Sequence, residues 1–390
     1  MSQHTSNRVH EHGLPALAPP ARLLCGPGPT NVAASVLAAM QKPMLGHLDP
    51  DLHDILLEVV DLLRRVYRAD DGLVIPLQST GTHGMEAGIA NLVEPGEKVI
   101  VGVCGFFGQR IVEVARRYGA EVVEVTADWG EVTANEALVE AVDSHPTARL
   151  VAVVHGETST GVEHPLAELG AALRDRDTML MADCVTTLGG VPVEFGEWGI
   201  DYAYSCTQKC LAAPPGMSPI AVSERALERI RGRRQPVPFA LDLLLLERYW
   251  VERPATYHHT APILHIYALH QALREVLVEG LEARWTRHAQ AAAHLRIELS
   301  ARGLELLADP EHQLAPLSAV RVPDGIDGSE IQARMLGGHG IEIGGGLGPA
   351  APPMWRIGLM GQNATPETAD RVLSALDAVL ADERVLAAAG

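Results

Sequence analysis

The sequence predicts an α/β fold built on a mostly parallel, seven-stranded sheet with helices on both faces. Short apolar segments alternate along the chain with longer stretches of helical periodicity. Parallel strands need long crossover connections, which helices usually supply, so this alternation favours a parallel sheet over a series of hairpins. The predicted strands are residues 73–77, 98–103, 121–125, 150–154, 178–182, 202–205 and 218–222.

The pattern changes in the last third of the chain. A long helical stretch is followed by two strand candidates and a last helix, at residues 264–299, 317–322, 354–359 and 366–380. A chain of 390 residues also exceeds the size at which a single core usually splits. We therefore expect three parts. Residues 1–29 form an N-terminal segment that belongs to the small domain and to a dimer contact, residues 30–275 form a large domain, and residues 276–390 form a smaller α+β domain.

The composition limits the classes of function. The formal net charge of −18 disfavours binding to nucleic acid or an anionic membrane, because both need a cationic surface. No apolar stretch is long enough to cross a bilayer. The five cysteines have no spacing typical of a disulfide framework or a zinc site. We therefore expect a cytoplasmic protein that acts on small molecules and holds no metal.

Ligands of open α/β sheets bind beyond the carboxyl ends of the strands, where this sequence places polar and aromatic residues. After the first strand, Thr80, Gly81 and Thr82 lead into a helix. Hydroxyl and free amide groups at a helix N-terminus can bind phosphate, although an ordinary helix cap would use the same residues. After the second strand, Phe107 lies beside Phe106 in a chain with only four phenylalanines. Phe107 fits either a platform for a flat ring or a buried aromatic side chain.

Two charged residues follow later strands. Asp183 comes after the fifth strand, where it could cap a turn or hold a pyridine nitrogen protonated. Lys209 is one of three lysines, against twenty-eight arginines (31 Lys+Arg minus 3). A primary amine can form a Schiff base with a carbonyl group, whereas a guanidinium cannot. A phosphate site, a ring platform, a carboxylate and a lysine, in this order, are what the cofactor pyridoxal phosphate needs.

Motifs along almost the whole chain strengthen this interpretation. They are GPGPT at 26–30, HGETSTG at 155–161, QK at 208–209, APPG at 213–216, YHHT at 257–260, GGLGP at 345–349 and RIGLMG at 356–361. With them, the sequence resembles the class V aminotransferases of fold type I, and most closely the alanine–glyoxylate and serine–pyruvate aminotransferase branch. The resemblance implies transamination between a small α-amino acid, alanine or serine, and a small α-keto acid, glyoxylate or pyruvate.

The resemblance also implies a role for each matching residue. Lys209 would form the Schiff base with the cofactor, Asp183 would pair with the pyridine nitrogen, and Val185 would pack against the ring. Thr158 would lie near the phenolic oxygen, and Arg356 would bind the substrate carboxylate with help from the backbone near Gly28. The phosphate would be surrounded by Thr80, Gly81, Thr82 and Gln208, and by Tyr257 and Thr260 of the neighbouring subunit, so the enzyme would be a homodimer with shared sites.

The sequence departs from its close relatives at two of these positions. They have His where this chain has Thr82 and Trp where it has Phe107, so ring stacking would be carried by Phe107 alone. The departures leave the choice of amine donor open. Another class V transaminase with a different donor, such as an intermediate of specialised metabolism, is one alternative, and a pyridoxal-phosphate-dependent lyase is another.

Three more distant alternatives are disfavoured by single features. A desulfurase of the same fold would need a cysteine on a loop of the C-terminal half, but no cysteine follows Cys210. A dinucleotide-binding oxidoreductase would need Gly-x-Gly-x-x-Gly after the first strand, which residues 81–84 do not supply. A non-catalytic protein on this scaffold would be expected to lose Lys209 or Arg356, and the sequence has both.

Overall fold

The computed structural model describes residues 16–389, so residues 1–15 of the expected N-terminal segment and Gly390 lie outside the described residues. Its strands are β1 (Leu23–Leu24), β2 (Leu73–Leu77), β3 (Lys98–Val103), β4 (Glu121–Thr126), β5 (Leu150–Val154), β6 (Gly156–Glu157), β7 (Val162–Glu163), β8 (Met179–Asp183), β9 (Tyr202–Tyr204), β10 (Ser218–Val222), β11 (Leu317–Arg321), β12 (Ile341–Glu342), β13 (Gly344–Gly345) and β14 (Met354–Gly358). Its α-helices are α1 (Ala34–Ala39), α2 (Pro50–Tyr67), α3 (Gly81–Leu92), α4 (Phe106–Arg117), α5 (Asn135–Ser144), α6 (Leu166–Leu173), α7 (Glu224–Arg231), α8 (Leu243–Trp250), α9 (Ile263–Glu279), α10 (Leu281–Ala301), α11 (Gly328–His339) and α12 (Pro366–Ala389).

The main sheet has seven strands in the order β2-β10-β9-β8-β5-β3-β4. Strand β10 runs antiparallel to both of its neighbours, and the other strand pairs are parallel. The strands β2, β5, β8 and β10 are buried along their whole length, as expected for a sheet covered on both faces. The α/β fold class and the seven predicted strands are therefore confirmed.

The fifth predicted strand is displaced by one residue. It begins at Met179, and the Thr178 hydroxyl donates to the Ala148 carbonyl just before the ladder starts. It continues through Asp183, which still pairs with Val154 and was expected to follow the strand. Asp183 is therefore held by a sheet ladder on its backbone as well as by side-chain contacts.

The predicted helical stretch at 264–299 is two helices, not one. Helix α9 ends and α10 begins at Gly280, whose φ of +87° is accessible to glycine and strained for other residues. The apolar pattern crosses this break without interruption, because both helices bury one face. Periodicity alone therefore concealed the turn.

A second apolar core lies in the C-terminal part of the chain. The antiparallel sheet β11-β14-β13 packs with the helices α10, α11 and α12, and β1 pairs in parallel with β12. Its buried cluster is separate from the cluster that surrounds the seven-stranded sheet. This separation supports the predicted division at residues 1–29, 30–275 and 276–390, which stays a prediction. In the part that the structure describes, no helix is long and apolar enough to span a membrane.

Candidate active site

A cavity of about 180 Å³ lies beyond the carboxyl ends of the parallel strands. Most of the sequence-predicted site residues line it: Thr80, Gly81, Thr82, Phe107, Thr158, Asp183, Val185, Gln208 and Lys209. Gly28 and Arg356 lie beside it, since Gly28 packs against Lys209 and Arg356 bonds to the backbone of Thr158. Tyr257 and Thr260 are exposed and are not among its lining residues. The sheet topology thus brings together residues that are up to 129 positions apart (209 minus 80).

Asp183 is a buried carboxylate with two donors. One oxygen accepts from the backbone N–H of Val185 at 2.9 Å and the other from the Tyr204 hydroxyl at 2.7 Å. Asp183 therefore caps its own turn and also pairs with Tyr204. Burial raises the pKa of Asp183 to about 7, although both hydrogen bonds oppose the rise. A cation placed in the cavity would stabilise the ionised form.

Tyr204 is a site residue that the sequence analysis missed. The β8–β9 register places it directly beside Asp183, and it lines the cavity. A tyrosine in a buried strand needs a hydrogen-bond partner for its hydroxyl. The sequence could therefore have indicated that Tyr204 pairs with a carboxylate at the end of a nearby strand. The partner could be identified only once the strand order was known.

Lys209 projects into the cavity from the loop after β9. Its Nζ donates to the Pro27 carbonyl, and its side chain packs against Gly28. A Cβ atom on Gly28 would lie 2.6 Å from Nζ, and Gly28 has a φ of +98°, which strains other residues. Burial lowers the pKa of Lys209, and the charge of Arg356 acts in the same direction. Both effects favour the neutral, nucleophilic amine.

The N-terminus of α3 has the features of an anion site. The Thr80 side chain does not cap the helix; its Oγ1 instead lies 3.1 Å from His83 Nδ1. Gly81 lets the helix approach the loop after β8, because a Cβ atom there would lie 2.8 Å from Val185 Cγ2. The Gln208 side-chain oxygen is buried without a hydrogen-bond partner. Backbone amides at the helix start donate to anions, and the Gln208 side-chain amide could turn its NH₂ group toward a phosphate.

Phe107 lines the cavity, and Arg356 lies beside it through its bond to Thr158. Phe107 stands in the first turn of α4, is partly buried against the main core and lines the cavity, so its role as a ring platform stays a prediction. Arg356 is 6% exposed in the middle of β14. Within the described chain, its hydrogen bonds go to the carbonyls of Gly345 at 2.6 Å and Thr158 at 3.3 Å. Burial lowers its pKa to about 10, so the guanidinium stays charged at neutral pH and can bind an anion.

Arg110, another arginine near the ring platform, has a different position. Its guanidinium stacks on Phe106 and Phe107, with 4.8 and 5.2 Å to the ring centroids. It lines an outer groove with Gly348 and not the cavity. Arg356 is therefore the better-placed arginine for a substrate carboxylate.

These residues fit pyridoxal phosphate on chemical grounds. An amine, a buried carboxylate, an aromatic face and an uncapped helix N-terminus surround one cavity, which is the donor set that this cofactor needs. Together with the mostly parallel sheet, they define a fold type I transferase that depends on pyridoxal phosphate.

Comparisons with known proteins identify the family. The aminotransferase class-V family profile matches residues 23–365. The (S)-ureidoglycine–glyoxylate transaminase of Bacillus subtilis is 37% identical, with 93% of this chain and 92% of that protein covered. The alanine–glyoxylate aminotransferase of Drosophila melanogaster is 36% identical, with 94% of both covered. The crystal structure of alanine–glyoxylate aminotransferase from Nostoc sp. superposes with a TM-score of 0.92 at 45% identity, covering 97% of this chain and 100% of that one.

The chain therefore belongs to the class V aminotransferases. It is a pyridoxal-phosphate-dependent aminotransferase, as the sequence predicted. The individual roles predicted for the site residues stay predictions, for which the geometry above provides the support.

Proposed function

We propose that this enzyme transfers an amino group from a small α-amino acid, alanine or serine, to a small α-keto acid, glyoxylate or pyruvate. The observation that carries the proposal is that Lys209, Asp183 and the Arg356–Thr158 contact meet around one small cavity. Relatives named alanine–glyoxylate aminotransferase agree with it. A guanidinium offers a planar fork that matches an α-carboxylate, which α-amino and α-keto acids share.

Each cofactor contact has a residue suited to it. Lys209 would hold the cofactor covalently, Asp183 would pair with the ring nitrogen, and Phe107 and Val185 would pack on the ring. Thr158 would lie near the phenolic oxygen, and Gly28 would support the substrate carboxylate through its backbone. The phosphate would be held by Thr80, Gly81, Thr82 and Gln208, which line the cavity.

The chemistry divides between the cofactor and the protein. When bound, pyridoxal phosphate supplies an aldehyde that accepts amino groups and a ring that withdraws electrons. The Lys209 amine would take up the proton from the substrate α-carbon and release it again to complete the transfer. Arg356 would bind and orient the substrate α-carboxylate. Asp183 would keep the ring nitrogen protonated.

A homodimer completes this proposal. Tyr257 is 55% exposed and packs near His47, with 5.2 Å between ring centroids. The exposed side chains of Met44, Leu48 and Phe239 add apolar surface in neighbouring segments. We propose that this surface contacts a second copy of the chain, whose phosphate site Tyr257 and Thr260 complete. Exposed apolar side chains of this size favour burial in an interface.

The proposed location is the cytoplasm. The five cysteines are all buried free thiols with no disulfide between them. Such thiols suit a reducing compartment, where disulfides seldom persist.

A second donor has a specific observation in its favour. The Bacillus subtilis relative is named for (S)-ureidoglycine, so this amine is the runner-up donor. A steady-state panel of alanine, serine and (S)-ureidoglycine against glyoxylate and pyruvate decides between them. We expect the highest kcat/KM with alanine or serine. A clear preference for ureidoglycine would replace the donor in this proposal, and no transfer with any pair would refute it.

A further inference from the structure

Helix α4 begins without a cap of its own. Its N-cap residue is Gly105, which has no side chain to accept hydrogen bonds from the first turn. Such unpaired N–H groups destabilise a helix end unless another group accepts them. This helix end matters to the site, because Phe107 in the first turn lines the cofactor cavity.

Two residues from the turn after β5 supply the missing cap. Glu157 Oε2 accepts from the backbone N–H of Phe107 at 3.0 Å and of Gly108 at 3.2 Å. Ser159 Oγ accepts from the N–H of Phe106 at 2.9 Å. The cap is thus tertiary: its acceptors lie 49 to 53 residues further along the chain.

Glu157 is buried completely, with 0% exposure. Its second oxygen, Oε1, accepts from the N–H of Ser159 at 3.0 Å and from the Ser159 hydroxyl at 2.6 Å. Burial raises the pKa of Glu157, while these four hydrogen bonds oppose the rise. Three of the donors are backbone N–H groups that cannot accept, so the ionised carboxylate fits this place and the helix dipole adds to it.

Gly105 leaves the room that this carboxylate needs. A Cβ atom on Gly105 would lie 2.5 Å from Glu157 Cγ and 2.7 Å from Cδ. The backbone of Gly105 is extended, so the requirement for glycine here comes from space and not from its dihedral angles. Gly105 and Glu157 therefore complement each other, because the small N-cap residue leaves space for the long acceptor side chain.

The backbone next to Glu157 also reaches the substrate side of the site. Thr158 lines the cavity, and its carbonyl accepts from Arg356 Nη1. The negative charge of Glu157 favours the charged form of Arg356. One buried side chain therefore contacts the ring platform and lies next to the anchor of the carboxylate-binding arginine.

We propose that Glu157 is a positioning residue that fixes Phe107 against the cofactor ring and sets the Thr158 carbonyl that holds Arg356. This inference rests on the proposed function for its catalytic consequences. Its structural part, the tertiary cap of α4, concerns the protein with or without cofactor.

The test is Glu157→Gln, which keeps the shape and removes the charge. In either amide orientation, the NH₂ group faces at least one backbone N–H that needs an acceptor, so hydrogen bonds on one side are lost. A hydrogen bond to a charged group contributes about 1.5–3 kcal/mol, or roughly ten- to a hundredfold. We expect the backbone amides that lose their acceptor, either those of Phe107 and Gly108 or that of Ser159, to exchange faster by about this factor in the cofactor-free protein. Unchanged exchange at all three amides would overturn the proposal.

In the enzyme loaded with pyridoxal phosphate, we expect kcat to fall roughly ten- to a hundredfold and the visible circular dichroism of the bound cofactor to weaken. A variant with lower thermal stability but unchanged kinetics and dichroism would show a merely structural role and overturn the proposal. Glu113→Gln is the matched control, because Glu113 lies on the same helix and pairs at the surface with Arg117. It should change none of these measurements.

A second variant covers the case in which Glu157→Gln does not fold. Ser159→Ala keeps the buried carboxylate but removes the acceptor of the Phe106 N–H and one donor to Glu157. We expect a smaller change of the same kind in exchange and dichroism, and no change would count against the cap. If the parent enzyme bound no cofactor, the proposed function would fail, while the exchange experiment would still decide the cap.

Discussion

The two sheets of this enzyme contribute to its site in different ways. The seven-stranded sheet presents Asp183 and Lys209 at strand ends and in the following loops, where parallel topology brings distant segments to one edge. The three-stranded sheet presents Arg356 from the middle of its central strand, between β11 and β13. In the proposed function, the first arrangement would serve cofactor chemistry and the second would serve substrate recognition. The difference indicates that the two tasks can be disabled separately.

Lys209→Ala should have the largest effect on the cofactor side. It removes both the covalent attachment and the proton-transfer amine, so we expect kcat to fall by at least roughly 10⁴-fold. Borohydride reduction followed by peptide mapping should label Lys209 in the parent enzyme. A label on Lys42 or Lys98 would contradict the assignment. Lys98→Arg is the control, because Lys98 lies at the amino end of β3 and does not line the cavity.

Asp183→Asn should come next on the cofactor side. The amide keeps a carbonyl for the Val185 N–H but loses the charge that holds the ring nitrogen protonated. Loss of such an electrostatic contact lowers kcat on the order of 10²- to 10³-fold. Steady-state kinetics of the loaded variant provide the measurement. Wild-type kcat in the variant would show that the carboxylate only caps its turn.

The same variant changes how stability depends on pH in the cofactor-free protein. Because burial raises the pKa of Asp183 to about 7, the folded state holds its proton over a range in which the unfolded chain has lost it. Stability therefore falls as pH rises from about 4 to about 7, by up to about 1.4 kcal/mol per pH unit. Asp183→Asn should remove the Asp183 contribution to this slope in thermal denaturation scans. Parallel profiles for the two proteins would contradict the raised pKa.

Arg356→Lys tests the substrate side alone. It keeps the charge but loses the planar fork, at a cost of about 2–4 kcal/mol in kcat/KM, or roughly thirty- to a thousandfold. We expect KM to rise for amino and keto acids while the cofactor spectrum stays unchanged. Arg321→Lys, at an exposed position of the neighbouring strand β11, is the control. An equal loss of cofactor would show that the two sheets are not separable in this way.

Tyr257→Phe should have the smallest effect and concerns the proposed dimer. Loss of one hydrogen bond to a charged phosphate should weaken cofactor retention about ten- to a hundredfold, with little change in thermal stability. Equilibrium dialysis measures retention, and sedimentation measures the dimer. Tyr118→Phe, which removes a partly buried bond to Glu86 outside the cavity, is the control. A fully active monomer would refute the shared site.

Whether the sequence alone could identify a site residue depended on the kind of signal that the residue carried. Lys209 and Asp183 were found because a rare lysine and a strand-end carboxylate stand out in an apolar pattern. Tyr204 and Glu157 were missed, because each acts through a partner on another segment. The break at Gly280 was missed because the helical periodicity continues across it.

By itself, the sequence determined the alternation of strands and helices, the residue types at the strand ends and hence the class of chemistry. These are local properties, fixed by side-chain periodicity and by which groups can form or stabilise particular bonds. Only the tertiary structure decided which groups satisfy one another. The Tyr204–Asp183 bond depends on strand order, the Glu157 cap on the packing of a turn against α4, and the Arg356 anchor on how β14 lies against Thr158. A buried polar group must find a partner wherever the fold provides one, and its position along the chain does not specify which.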